Sequence, residues 1–167
     1  LLKAEMLLEE ADIGSTLVIY GSARIPSPEH AQAALDAATT PERKAVVERL
    51  VAKSKYYDEA RELARLASAC GVVEEGKRQF VVCSGGGPSI MEAANRGARD
   101  VGAETIGLNI VLPHEQAPNP YVTPGLCFQF HYFALRKMHF LLHARAVAVF
   151  PGGFGTFDES FELLTLI

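Results

Sequence analysis

Apolar residues along this chain fall into short unbroken runs, separated by longer stretches where they recur every third or fourth position. Five runs read as strands: Thr16–Tyr20 and residues 80–84, 105–110, 126–130 and 146–150. An unbroken run suits a parallel strand covered on both faces, where an alternating pattern would not. Between the runs, Tyr56, Ala60, Leu63, Ala64 and Ala67 keep helical spacing, and Gly71 follows as a stop. Residues 89–99 and 132–143 read as the next two helices, and 161–166 as a further one. Strands alternating with helices predict an α/β fold: a Rossmann-like parallel sheet with helices on both faces, in a single domain.

Ligands of such sheets bind beyond the carboxyl ends of the strands. Four landmarks follow strand ends here: Gly21-Ser22-Ala23-Arg24, Ser84-Gly85-Gly86-Gly87, His131, and Pro151-Gly152-Gly153. They are expected to converge on one crevice. Two segments interrupt the alternation. Residues 28–55 form a charged helical insertion ahead of the Tyr56 helix, expected to be solvated or to face a partner. Residues 111–125 carry Pro113, Pro118, Pro120 and Pro124, which exclude a continuous helix. That segment is either a loop bordering the pocket or an inert connection.

Composition narrows the class. The chain has 167 residues, about one domain, with 49% apolar and 22% charged residues. A net charge of −4 argues against a nucleic-acid groove, which needs a basic face. Cys70, Cys83 and Cys127 are odd in number and form no C-x-x-C. Two lie in strand-like runs, so buried free thiols in a reducing compartment are expected. No signal-peptide pattern and no apolar run of membrane-spanning length is present, so the expected location is cytoplasmic, with no membrane partner. The chain starts without methionine, and its last helical pattern runs to Ile167 without a cap; a longer natural protein is expected.

The chemistry concentrates at the two glycine clusters. Each follows a strand and opens a helix, the arrangement that aims backbone N–H groups at an anion. In the first, Pro88 suits a first helical position and Ser89-x-x-Glu92 has capping-box spacing. In the second, Thr156-x-x-Glu159 has the same spacing. Neither completes a P-loop or G-x-G-x-x-G. At 100° per residue, Asp158, Glu162 and Thr165 share a polar stripe, whereas Glu159 falls between Leu163 and Leu166. Glu159 is therefore either the capping partner of Thr156 or an inward acid. A phosphate competing for the helix-end N–H groups would free it to reach a sugar.

Arg136 shares a helical stripe with His139, Phe140 and His143. It reads as a snorkelling side chain or as an anion ligand. Lys137 points elsewhere on the same helix. His139 and His143 stand four apart, but no third ligand or H-E-x-x-H accompanies them, so packed or interface histidines are expected and no metal. Ser22 and Ser84 lie in tight turns outside any G-x-S-x-G, so no serine triad is legible.

The stretch from Pro151 to Glu159 resembles the PGGxGTxxE motif of the LOG (Lonely Guy) family, cytokinin-activating phosphoribohydrolases and related nucleotide nucleosidases often labelled "lysine decarboxylase". Arg136-Lys137-Met138 resembles the arginine-lysine element that precedes it. The turns at Gly21-Ser22-Ala23-Arg24 and from Ser84 to Ala93 are similar to the family's first two strand-end turns. The resemblance runs from about Leu17 onward; the 28–55 insertion and the lack of a C-terminal strand and helices depart from it. It implies hydrolysis of the N-glycosidic bond of a nucleoside 5′-monophosphate, AMP or a cytokinin riboside 5′-monophosphate, to free base and ribose 5-phosphate. Arg136 and Glu159 would be the catalytic pair, and Gly152, Gly153, Gly155 and Thr156 would bind phosphate. Ser22, Gly86, Gly87, Glu92 and Lys137 are expected around the substrate. The resemblance also implies a homodimer and no metal or redox cofactor. A rival within the same fold is a non-catalytic nucleotide or molybdenum-cofactor carrier. A decarboxylase would need a lysine bound to pyridoxal phosphate, for which no motif is present.

Overall fold

The structure is a computed structural model and describes residues 2–111 and 117–166. The chain runs through α1 (Leu2–Glu10), β1 (Thr16–Tyr20), α2 (Pro28–Asp36), α3 (Pro41–Ala69), β2 (Val73–Glu74) and β3 (Lys77–Arg78). It continues through β4 (Val81–Ser84), α4 (Ile90–Asp100), β5 (Ile106–Ile110) and a 3-10 turn (Pro124–Leu126). Then follow β6 (Cys127–Phe130), α5 (Phe133–Leu142), β7 (Ala144–Val149) and α6 (Phe154–Leu164). All five expected strands are present, within two residues at each end.

Those five form one parallel sheet in the order β6-β5-β4-β1-β7. The chain steps outward from β1 through β4 and β5 to β6, then returns to the far side of β1 as β7. The order thus reverses between β1 and β7, and a crevice opens at such a point beyond the strand ends. Side chains alternate across the sheet as strand geometry requires. Val18 and Tyr20 enter one core with Ala4, Leu8, Phe128, Phe130 and Phe140. Leu17 and Ile19 enter the other, with Tyr57, Ala60, Ala64, Ile90, Ala93, Ala94 and Ala98. The small residues of that second core let α3 and α4 approach closely: a Cβ at Gly97 would lie 2.0 Å from the Arg61 carbonyl oxygen.

Several expectations are corrected. The 28–55 insertion and the Tyr56 helix are not separate units, because α3 is continuous over 29 residues. Thr40 caps it by accepting from the Arg43 N–H at 3.2 Å, and no glycine or proline interrupts it after Pro41. The first strip of chain is a helix, α1, which buries only Ala4 and Leu8 and so has little apolar signature. The hairpin β2–β3 also went unforeseen. Its turn, Glu75-Gly76, has positive φ at both positions, 51° and 79°, as two-residue hairpins favour. Strand β7 starts two residues early because residues 144 and 146 pair with consecutive residues of β1, leaving Arg145 at the irregularity. Leu126 closes the 3-10 turn and does not open β6.

The proline-rich 111–125 segment is described only in part, since 112–116, with Pro113, lie outside the described residues. Its later part borders the glycine turn after β4. The Asn119 backbone N–H donates to Gly86 O at 2.8 Å and its side chain donates to Gly87 O at 2.9 Å. Among the described residues, no helix is long and apolar enough to cross a membrane.

Candidate active site

A cavity of about 610 Å³ opens at the carboxyl ends of β1, β4 and β5, within the size range of small-ligand sites. Three of the four strand-end landmarks meet there. The β1 turn contributes Gly21 to Arg24, the β4 turn Gly85 and Gly87, and α6 the stretch from Gly153 to Thr156. His131 is exposed and does not line it. The first and last turns are tied directly: Phe150 N–H donates to Tyr20 O at 2.8 Å, and Ser22 N–H to Pro151 O at 3.1 Å.

Helix α6 begins after an extended Gly153 at its N-cap, which has no side chain with which to cap it. The first intrahelical bond runs from Phe157 N–H to Gly153 O at 3.1 Å. The N–H groups of Phe154, Gly155 and Thr156 have no acceptor among the described residues. The Thr156–Glu159 capping box therefore does not form. Thr156 is already the third helical residue, and its hydroxyl lies so near Gly152 that a Cβ there would sit 2.1 Å from Oγ1. Gly152 supports the turn from behind and is not part of the cavity wall.

Freed from capping, Glu159 turns inward and meets Arg136. Arg136 Nη1 lies 3.1 Å from Glu159 Oε1, with the two side chains 9% and 14% exposed. Arg136 is fixed in turn: Nε donates to Leu108 O at 2.6 Å, and the guanidinium lies over Phe140 at 5.0 Å. A Cβ at Gly85 would stand 2.5 Å from Nη2, so that glycine makes room for the arginine. Burial lifts the Glu159 carboxyl above the usual carboxylate range, while Arg136 pulls it back. Both side chains line the cavity.

The neighbouring residues diverge. Lys137 points away and pairs with Asp158 at 3.1 Å and Glu162 at 2.8 Å, outside the cavity. The polar stripe of α6 is thus engaged by Lys137, and the inward acid by Arg136. Glu92 also lies outside, accepting from the Tyr57 hydroxyl at 2.6 Å. The expected Ser89–Glu92 capping box is absent, because Ser89 has a positive φ of 67° and its hydroxyl donates to Ile25 O. Gly86 lies behind the wall; Gly87 and Ser22 line it.

A buried amide holds the β4 turn in place. Asn95, fully buried on α4, accepts from the Ser84 hydroxyl at 2.7 Å and donates to Thr105 Oγ1 at 2.7 Å. Asn119 donates to the same Asn95 oxygen at 2.9 Å. His139 and His143 face Glu5 of α1, at 3.6 and 2.9 Å. Among the described residues no group of three or more His, Cys, Asp or Glu side chains could hold a metal ion. The three cysteines are free; Cys83 is buried, Cys127 half-buried, and Cys70 exposed at the end of α3.

Sequence reasoning missed Tyr20, Met91, Asn109 and Phe133, which also line the cavity. Asn109 had a signal, as the one polar side chain in the run of residues 106–110. Phe133, just past a strand end, had none.

Residues 91–167 match the protein-family model described as "Possible lysine decarboxylase". That stretch carries Arg136, Glu159 and the turn from Pro151 to Gly155. Among solved structures, the chain is similar to TM1055, a structural-genomics target solved by X-ray crystallography. The TM-score is 0.59 and the identity 24%, over 91% of this chain and 69% of that one. At that identity the likeness is one of fold. No curated protein matches.

Proposed function

We propose that the chain hydrolyses the N-glycosidic bond of a nucleoside 5′-monophosphate, releasing free base and ribose 5-phosphate. One observation carries this reading: a single helix presents an uncapped glycine-lined N-terminus and, five residues on, a buried carboxylate, both in one cavity. Five residues span about 8 Å of helix, which suits a phosphate at one end and a ribose at the other. The partial positive charge and free N–H groups of the helix start would take the phosphate, with Ser22 and Arg24 across from it.

In the reaction, the bond between C1′ and the base nitrogen breaks with its electron pair leaving on the base. Positive charge develops on the sugar, as in other glycosyl cleavages. Ionised Glu159 stabilises that charge and takes a proton from the water that adds to C1′; the departing base gains a proton. A carboxyl lifted above its ordinary range is a better base near neutral pH than a solvated one. Arg136 holds Glu159 in place through the 3.1 Å contact. The preferred substrate in this reading is AMP or a cytokinin riboside 5′-monophosphate. A decarboxylase reading is not supported, since no lysine is among the residues lining the cavity.

The test is release of adenine from AMP, followed chromatographically. Glu159→Gln should lower turnover about a hundredfold or more with the fold intact; near-normal turnover refutes the role. Tight AMP binding with no base released from any nucleotide would favour a carrier.

A further inference from the structure

The wall of the cavity at β5 holds a side chain with no role so far. Asn109 sits in β5, is only 7% exposed, and lines the cavity. Its side chain makes one hydrogen bond among the described residues, from Nδ2 to Cys127 Sγ at 3.3 Å, and sulfur is a weak acceptor. Gly86, with a φ of +68°, lies flat against the amide: a Cβ there would stand 2.7 Å from Nδ2 and 2.9 Å from Oδ1. The amide is thus clamped between Gly86 and Cys127, while Oδ1 and the second N–H have no partner among the described residues. Neither atom is among the buried side-chain atoms left without a partner, and the residue lines the cavity, so a ligand's complementary edge can take the place of water there.

Its place in the sheet says which part of a nucleotide would meet it. In the order β6-β5-β4-β1-β7, β5 lies three strands from β7, whose end feeds α6. At roughly 4.8 Å per strand this is about 14 Å. A phosphate at the start of α6 and a ribose beside Glu159 leave the base over β4 and β5. Met91, Ile110 and Phe133 give that end an apolar lining suited to a flat ring.

We infer that Asn109 is the base-recognition residue of this cavity, reading a nucleobase with an exocyclic amino group beside an acceptor ring nitrogen, as in adenine. Oδ1 accepts from the amino group and the free Nδ2–H donates to the ring nitrogen, the bidentate pairing that a primary amide makes with such an edge. The inference rests on the nucleotide reading of the same cavity, and binding separates it from the hydrolytic step.

Calorimetric titration of AMP, purine riboside 5′-monophosphate (which lacks the amino group) and ribose 5-phosphate provides the test, on the wild type, Asn109→Leu and Asn109→Ala. The wild type should bind AMP about tenfold or more tighter than purine riboside 5′-monophosphate. Both variants should lose most of that ratio and keep the wild-type affinity for ribose 5-phosphate; if Asn109→Leu fails to fold, Asn109→Ala decides. A wild type that does not discriminate overturns the inference, as does a ratio preserved in the variants. So does ribose 5-phosphate binding weakened as much as AMP binding. Base release is measured in parallel: a collapsed ratio without release from AMP sinks hydrolysis and leaves the base site standing. Release with an unchanged ratio does the reverse.

Discussion

Glu159 is the residue whose surroundings matter most, because burial and a cation act on it in opposite directions. Burial dominates, so the folded chain holds the Glu159 proton to higher pH than the unfolded chain does. Relative to Glu159→Gln, the wild type should therefore be most stable below the ordinary carboxylate range. That advantage should fade as pH rises through the raised value; thermal melts of both proteins across pH 4 to 8 (roughly the window for a raised carboxyl) check the sign. Activity requires the ionised form, so the acid limb of kcat/KM should lie above the usual carboxylate range. Arg136→Met removes the cation that opposes burial, and the acid limb should shift further upward. An unmoved limb would mean that another group sets it. Arg136→Lys keeps the charge but not the hydrogen bond from Nε to Leu108 O, so it should rescue the limb better than the rate.

At the scale of elements, two contacts position the site without touching its cavity. Gly97 lets α4 press on α3, and Gly97→Val would drive a side chain into the Arg61 carbonyl. Overpacking of this kind costs about 1–3 kcal/mol or more, so a drop of several degrees in Tm is expected, with AMP binding weakened through α4 only secondarily. Asn95→Leu strips partners from Ser84, Thr105 and Asn119 at once. Each stranded buried group costs about 1–3 kcal/mol, and the β4 turn loses its anchor; calorimetric melting should register the loss. These contacts also mark where the sequence stopped being legible. Strands announced themselves because sheet burial demands unbroken apolar runs, and helical phase pointed Glu159 inward while capping spacing kept the other reading open. Capping spacing misled at both glycine turns: Ser89 stands at the N-cap of α4, but its positive φ and bond to Ile25 O take its hydroxyl away, and Thr156 is already the third residue of α6. The role of Asn95 depends on residues ten or more positions away, which no local pattern reports. Helix α1 was silent because two buried residues in nine make no periodic stripe.

For the whole molecule, the sheet reversal puts the uncapped glycine-lined helix start and Glu159 on one helix beside β7, and the facing cavity wall on β4 and β5. That helix also carries Phe154, Phe157, Phe161 and Leu164, all strongly exposed and spaced three or four apart. An open apolar stripe of this kind promotes association. Phe157→Glu with Phe161→Glu should raise solubility in a precipitation assay while changing Tm by little, since neither ring is buried.

The hydrogen bond between Glu5 and His143, with His139 beside it, has a practical bearing on anyone handling this protein. The leading segment is clasped to the very rod that bears Arg136, one turn away. Shortening the amino end, or splicing a bulky tag into it, would loosen that clasp and let the guanidinium wander. A chain trimmed to begin after residue 12 should accordingly hold Arg136 less firmly, though every residue lining the cavity is still present.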